Sequence, residues 1–329
     1  MTSFKIYKLH FTSPLHIGDA REDYGSSRQT IDSDTMYAAL TSCLAKLGRT
    51  IPEDGYLGCT ISSLFPFYQK SPSEDAVLFL PKPLKQKLPD IPVEYRKRLK
   101  KVQWLDVSSF SDVLNGHPLF ENESELSYAQ GKYYSKDRID TEFMYSQVSQ
   151  RVTVSRDSSE PAMPFYMDRV WFRGRSGLYF MVEGDDNIIK IALDLLQEEG
   201  LGTDRNVGNG HFVYEEDELS LNLPENADFS ISLSSFIPDS RSQLVDMMDS
   251  NEVAYELHRC GGWITTAPYN SLRKNVIHTF LPGSVFRHDS SDKHVFGRIV
   301  DLNPGIQFGR KVDHPVWRCG KSIFVPIKF

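Results

Sequence analysis

Between Leu201 and Phe212 the chain reads LGTDRNVGNGHF, three glycines around a single arginine. Gly202, Gly208 and Gly210 carry no Cβ to hold another chain away. Successive N–H groups in such a turn form an anion-binding concavity, and Arg205 adds a charge-assisted contact. Asn209, between the last two glycines, brings a polar side chain to the same stretch. Phosphate capture is the chemistry this set would perform. The plain alternative is a helix-to-strand connection that uses glycine for its turns.

The elements on either side decide whose phosphate it could be. Upstream, NIIKIALDLLQEEG places Ile188, Ala192, Leu195 and Leu196 at helical spacing, with Asp186 or Asn187 able to cap the start and Gly200 the end. Downstream, Phe212 and Tyr214 alternate as in a half-buried strand. The order is helix, glycine loop, strand. A P-loop or dinucleotide fingerprint needs glycines that open a helix facing the phosphates. No Lys-Ser or Lys-Thr follows Gly208 either. A nucleotide cofactor is therefore not expected, which leaves a plain connection or a loop whose backbone can approach another chain closely, a nucleic acid among the candidates.

Composition is compatible with that reading only if charge is unevenly placed. The formal charge of −7 excludes a protein that coats nucleic acid indiscriminately. Eight basic residues nevertheless crowd Pro81 to Lys101: Lys82, Lys85, Lys87, Arg96, Lys97, Arg98, Lys100 and Lys101. Acidic residues gather in Glu215 to Glu218 and along Asp239 to Glu256, where they could face a basic protein partner. No apolar run is long enough to cross a membrane, and MTSFKIYKLHF starts as a strand rather than a signal peptide. Cys43, Cys59, Cys260 and Cys319 form no CxxC pair and fit reduced thiols, so a cytoplasmic protein is expected. His288 and His294 bracket HDSSDKH with Asp289 and Asp292, but the spacing fits no standard metal site. No metal and no cofactor are expected.

A length of 329 residues suggests two domains or one enlarged domain. FKIYKLHF reads as a strand and SDTMYAALTSCLAKLG as a helix, with Ser33 as N-cap and Gly48 as stop. The stretch from about 71 to 150 has no clear period. QRVTVSRDS and RVWFRGRSGLYFMVEG are strand-like, followed by the helix at Ile188, the glycine loop and a strand. Without the insertion, this is the β-α-β-β-α-β order of a ferredoxin-like domain. Residues 222–228 make a plausible joint. Beyond it SISLSSFI and GGWITTAP read as strands and SQLVDMMDSNEVAYEL as a helix, a second, degenerate unit of the same type. The expected fold class is α+β, two ferredoxin-like (RRM-like) domains in tandem. They span 1–221, with the insertion, and 222–329.

These segments, taken in order, resemble the RAMP superfamily of CRISPR proteins. More narrowly, they resemble the crRNA 5′-tag-binding subunit of type III-A (Csm) effector complexes. SPLHIG with TIDSDTMYAAL is similar to the family's first-strand exit and following helix; LFLPKPL to a segment after it. QRVTVSRDS is similar to an Arg-containing central strand, LGTDRNVGNGHF to the glycine-rich loop, and LPGSVF, GRIVDL and VWRCGKSIFVPI to the closing pattern. The resemblance implies a non-catalytic RNA-binding protein of antiviral defence. Its partners would be the crRNA 5′ tag, a large polymerase/cyclase-like subunit and a neighbouring RAMP backbone subunit, with no membrane. It assigns RNA contacts to His16, Gly18, Ser33, Arg151, Arg156, Arg205, Gly208, Asn209 and Gly210. It also implies a base-stacking hairpin, placed at Ser127 to Gln150. Two alternatives stay open: a repeat-RNA endoribonuclease using His16 or His211 for proton transfer, and the equivalent type III-B subunit.

Overall fold

The computed structural model describes residues 1–18, 24–87, 93–120, 123–154, 161–288 and 295–329. The first half begins β1 (Thr2–Phe11), α1 (Ser33–Lys46), β2 (Cys59–Ile61), β3 (Phe65–Tyr68) and β4 (Val77–Pro81). It continues with α2 (Val93–Lys101), β5 (Trp104–Asp106), α3 (Val107–Leu114), β6 (Ala129–Gln130) and β7 (Tyr133–Tyr134). It closes with β8 (Met144–Thr153), β9 (Met163–Phe172), β10 (Gly177–Gly184), α4 (Asn187–Glu199) and β11 (Phe212–Leu221). The fold is mixed α+β and rich in sheet.

One mixed sheet organises this half, in the order β11-β1-β10-β3-β4-β5-β7-β6, with β2 also on β10. β1 lies between β10 and β11, antiparallel to both, with Tyr7 opposite Phe180 and Glu216. Side chains alternate across a strand, and here both faces are covered. Tyr7, Leu9, Leu178 and Phe180 join Leu40, Leu44, Ala192, Leu193 and Leu196 of α1 and α4 in one core. Phe4, Ile6, Tyr179 and Met181 join Phe110 of α3 in a second core on the opposite face. Two-sided burial explains the unbroken apolar run LYFMV of β10.

The stretch from 71 to 150 is not an appendage. β4 to β7 extend the same sheet, Phe67 opposite Leu78 and Leu80 opposite Leu105. These strands are too short to show a period. α2 carries most of the basic run: Leu99 is buried, while Arg96, Lys97, Arg98, Lys100 and Lys101 are exposed.

The second half contains β12 (Phe229–Ser232), α5 (Arg241–Met247), β13 (Leu257–Cys260), β14 (Ile277–Phe280) and β15 (Val285–Arg287). Then come β16 (Val295–Phe296), β17 (Ile299–Asp301), β18 (Ile306–Gln307), β19 (Arg310–Lys311), β20 (Trp317–Cys319) and β21 (Ser322–Ile327). Its main sheet runs β15-β12-β21-β16. The helix expected over SQLVDMMDSNEVAYEL is only the short α5. The Ser240 hydroxyl caps its start by accepting from the Gln243 amide, 3.1 Å, and the Asp-Ser-Asn run at 249–251 favours a turn over continuation. GGWITTAP forms no strand. The Ile264 amide donates to the Leu272 carbonyl, and the Lys274 amide reaches back to the Gly262 carbonyl.

The halves share a core rather than merely touching. Ile231, Leu233, Val285, Ile323, Val325 and Ile327 belong to the core with Phe4, Ile6, Tyr179 and Met181. Hydrogen bonds run from Ser63 N–H to the Leu233 carbonyl (2.9 Å) and from Ser234 Oγ to the Ile61 carbonyl (2.8 Å). The start of α1 sits at this seam. Its N-cap is Asp32, not Ser33; the Ser33 hydroxyl accepts from Ser235 N–H at 2.8 Å. Asp34 and Arg318, both buried, pair at 2.8 Å. Acid in a first helical turn also suits the helix dipole.

Asp32 accepts both guanidinium nitrogens of Arg28, at 2.7 and 2.9 Å, and lies 3.4 Å from His258 Nδ1. Burial alone would raise the Asp32 carboxyl, but His258 and Arg28 together lower it. The Asp32 contact, then the Cys260 thiol, push His258 up to about 10 against burial. A raised histidine stabilises the fold fully below its ordinary value of 6.5, and that contribution fades as pH climbs toward about 10. The lowered Asp32 acts in the opposite sense, contributing above 3.8 and less as pH falls below it. The difference in melting temperature between wild type and His258→Gln should be widest between those two ordinary values and close toward pH 10. A constant difference over that range would show that Arg28 alone satisfies Asp32.

Candidate nucleic-acid interface

Three segments meet beside the end of β1. The first is its exit, Ser13 to Gly18. The second is the glycine loop between α4 and β11. The third is the root of a projecting hairpin, β8 with β9, paired over ten positions from Met144↔Phe172 to Thr153↔Met163. Backbone bonds tie them together. Leu15 and Val170 exchange both amide bonds (2.9 and 2.8 Å), Thr203 N–H reaches the His16 carbonyl (2.9 Å) and Gly210 N–H the Pro14 carbonyl (2.8 Å). The His211 amide donates to Ser13 Oγ, 2.8 Å.

The glycines divide by role. A Cβ on Gly210 would lie 1.8 Å from the Leu201 carbonyl oxygen, so this glycine lets the loop close on itself. Gly202 is likewise pressed on the His16 carbonyl. Gly208 has φ +90° and nothing within 4 Å of where a Cβ would sit. It alone of the three has open space above it. Arg205 stands next to it, only loosely held, 3.5 Å from the Gly200 carbonyl and 3.7 Å from Glu199. Asn209 is buried, its amide 3.4 Å from the Thr203 carbonyl.

His16 is buried as well. Its Nδ1 lies 2.6 Å from the Asp168 carbonyl, which can only accept, so Nδ1 carries the proton. The ring stacks on Tyr24 (5.8 Å between centroids), and Tyr24 packs on Phe165 of β9 (5.3 Å). His16, Asn209, Gly210 and Ser33 thus sit within the scaffold, whereas Arg205, Gly208 and Arg151 reach the surface or its margin. Gly18 is half-buried at the end of the strand exit. Arg156 lies outside the described residues, as do positions 289–294 of the HDSSDKH turn.

The hairpin supplies what the sequence did not disclose. Residues opposite one another in register share a face, which puts Ser149 and Arg151 beside Phe165, Met167 and Arg169. The Arg151 guanidinium lies 3.5 Å from Met167 Sδ, and Arg169 donates to Ser149 Oγ at 3.0 Å. Neither arginine has an acidic partner among the described residues. Burial, then the nearby Arg151 charge, lower the Arg169 guanidinium. Arg169 Nε and Trp171 Nε1 are buried donors without an acceptor among the described residues. Orphaned donors beside two like charges call for an anion or a base edge to complete them. On the other face and toward the tip, Val148, Val152, Val154 and Tyr166 are exposed. The base-stacking hairpin expected at Ser127 to Gln150 is matched in shape by Met144–Phe172. The period-2 series Phe165, Met167, Arg169, Trp171 was its legible trace.

The acidic run of β11 is already spent within the chain. Lys8, buried on β1, bonds Glu215 (2.5 Å) and Asp217 (2.8 Å), and Lys5 bonds Glu216 (2.9 Å). Arg175 and Lys190 hold Glu215 and Glu216 from the sides. Register explains it, since Lys5 faces Glu218 and Lys8 faces Glu215 across the ladder. Three of the four acidic residues from Glu215 to Glu218 are thus neutralised by basic residues of this chain, while Glu218 is exposed and accepts from the Ser3 hydroxyl at 3.1 Å.

Comparison with known proteins places this geometry. The CRISPR Csm4 C-terminal domain family matches residues 225–327. A Streptococcus thermophilus protein described as "CRISPR system Cms protein Csm4" is 26% identical over 344 residues, 99% of each chain. Its namesake from Thermococcus onnurineus (strain NA1) is 28% identical over 258 residues, 73% of this chain and 77% of that one. The chain is similar to Csm4 proteins over nearly its whole length. The RAMP resemblance seen in the motifs is thus borne out. In fold it is similar to a chain of the crystal structure of a Csm1-Csm4 cassette in complex with cA4. The TM-score is 0.60 at 18% identity, with 99% of this chain and 98% of that one covered. It is also similar in fold to a chain of the Csm3-Csm4 subcomplex of the type III-A CRISPR-Cas interference complex. There the TM-score is 0.56 at 16% identity, with coverage of 99% and 100%.

Proposed function

We propose that this protein is the subunit of a type III-A CRISPR effector complex that grips the repeat-derived 5′ tag of crRNA. The observation that carries the reading is the junction of strand exit, glycine loop and hairpin, with Arg151, Arg169 and Arg205 and the unmatched donors of Arg169 and Trp171. Arginines and amides would take phosphates, and the aromatic hairpin would meet splayed bases. His16, Asn209, Gly210 and Ser33 act as positioning residues within this scaffold; Arg156 is retained as a contact by its place on the family's strand. Relatives crystallised with Csm1 and with Csm3 support two docking partners, a large polymerase/cyclase-like subunit and a neighbouring RAMP subunit. Relatives named Csm4, the name also borne by a subunit of a type III-A interference complex, support type III-A over III-B.

The proposed architecture is two ferredoxin-like units, 1–221 and 222–329. The strand order β11-β1-β10-β2/β3 with α1 and α4 on one face supports the first. The second is degenerate, with one helix among its described residues. The protein is proposed to be non-catalytic. The fixed tautomer and burial of His16 fit a structural ring, and no base or acid partner for it or for His211 is seen among the described residues.

Guide-RNA binding as a function of salt tests the reading. Arg205→Ala should weaken binding and flatten the dependence of log K on log salt by about one unit, the signature of one lost phosphate contact. The pair Arg151→Ala/Arg169→Ala should cost more, because both sit on the unpaired face. Unchanged affinity and slope in both variants would reject the site. Repeat RNA should emerge intact from incubation with the protein; cleavage abolished by His16→Ala or His211→Ala would replace this reading with the nuclease.

A further inference from the structure

Away from the hairpin, a cleft of about 770 Å³ opens between the outer face of α1 and the segments 263–267 and 314–318. Its α1 wall is made of small residues, Ala38, Ser42 and Ala45, so a flat group can lie close to the helix. Two indoles, Trp263 and Trp317, line the other side. The Arg273 guanidinium already covers one side of Trp263, 4.8 Å from the ring centre.

The charges are unequal. Arg318 is committed to Asp34, and Lys46 to Glu199 at 2.6 Å. Lys274 also lines the cleft, and its amine has no hydrogen-bond or ion-pair partner among the described residues. Burial, then the adjacent Arg318 charge, bring Lys274 down to about 8. Lys274 is half-buried, and Asp34 behind Arg318 offsets only part of that effect, so a bound anion would complete the offset. Arg205 borders the same cleft, loosely held as described above. Volume, aromatic walls and one unmatched cation are the features of a small-ligand pocket with an anionic group to orient.

We propose that this cleft binds a single nucleotide unit, its phosphate on Lys274 and its base against the indoles. Indole–base stacking tolerates any base, while the ammonium fixes the phosphate. The Ser42, Thr265 and Thr266 hydroxyls fit a ribose. A free mononucleotide and one residue of an RNA strand present the same chemistry. The proposal stands independently of the tag-gripping role, since Lys274 and both tryptophans lie outside that junction.

The test titrates the full chain with adenosine 5′-monophosphate, following tryptophan fluorescence and calorimetric heat, with inorganic phosphate in parallel. Saturable binding is expected for the nucleotide, weaker for phosphate, and about tenfold or more weaker for the nucleotide in Lys274→Met. Lys274→Gln provides a second variant should the first melt early. Protein loaded with guide RNA separates the sources: continued nucleotide binding assigns a free ligand, and competition assigns a residue of the strand. Gly208→Val, which should lose guide RNA, should keep the nucleotide, so the two readings fail separately. No saturable binding, or equal affinity in well-folded Lys274 variants, overturns the proposal.

Discussion

Replacing Gly208 by valine is expected to cost about tenfold or more in guide-RNA affinity, roughly 1.4 kcal/mol at the least. The fold should survive. Gly208 holds φ +90° over open space, so the new Cβ meets nothing inside the protein. A β-branched residue there pays a left-handed backbone penalty of roughly 1–2 kcal/mol, a fall in melting temperature of a few degrees. What the side chain fills is the space by which a phosphate would reach the loop amides beside Arg205. Gly210→Ala is the contrasting control. Its methyl would lie 1.8 Å from the Leu201 carbonyl oxygen, so it should disrupt the loop and lower the melting temperature far more. Wild-type guide affinity in a folded Gly208→Val protein would make the loop a connection and nothing else.

Arg318→Leu should be among the most destabilising single substitutions in the chain. Removing one member of a buried pair strands the other charge, typically about 3–5 kcal/mol. Among the described residues Asp34 would keep only long contacts, from the Cys260 thiol (3.4 Å) and the Ser235 and Thr35 hydroxyls (3.5 Å each). For a protein of this size the melting temperature should fall on the order of 10 °C. Asp34→Leu combined with Arg318→Leu should recover much of the loss, since apolar replacements of buried pairs are often near neutral. Denaturant melts of the two single variants and the double variant decide it. A single variant as stable as wild type would mean that Asp34 takes up a proton or finds water at little cost.

The elements around the loop were legible because their periods are long and strong. α1 and α4 each bury one clear stripe, and Gly48 and Gly200 end their helices at positive φ. The expected stripe on α4 was turned slightly: Ile189, Ala192, Leu193 and Leu196 are the buried set, with Ile188 and Leu195 beside it. The insertion was illegible for a physical reason. β5, β6 and β7 have two or three residues each, and their place is fixed by neighbours in the sheet rather than by their own pattern. At the candidate site, residue types pointed to the right loop but not to the division of labour within it. Glycine serves an internal crossing and an open approach equally well, and only the surroundings of Gly210 and Gly208 separate the two. Arg169 and Trp171 were hidden because a strand segment read alone does not reveal which face has a partner.

The two-sided burial of β1 and β10 also bears on how the chain is made. α1, α3 and α4 and the sheet strands all precede the joint at 222–228, yet the face bearing Ile6 and Met181 is sealed by β12 and β21. Until the ribosome has delivered Ser322 to Ile327, the part of that face not covered by α3 stays an exposed apolar surface. Contacts between segments so far apart in sequence form late and slowly, and exposed intermediates of this kind are what chaperones hold. Production of the protein should therefore be governed less by its final stability than by the interval between translating the first sheet and translating its cover.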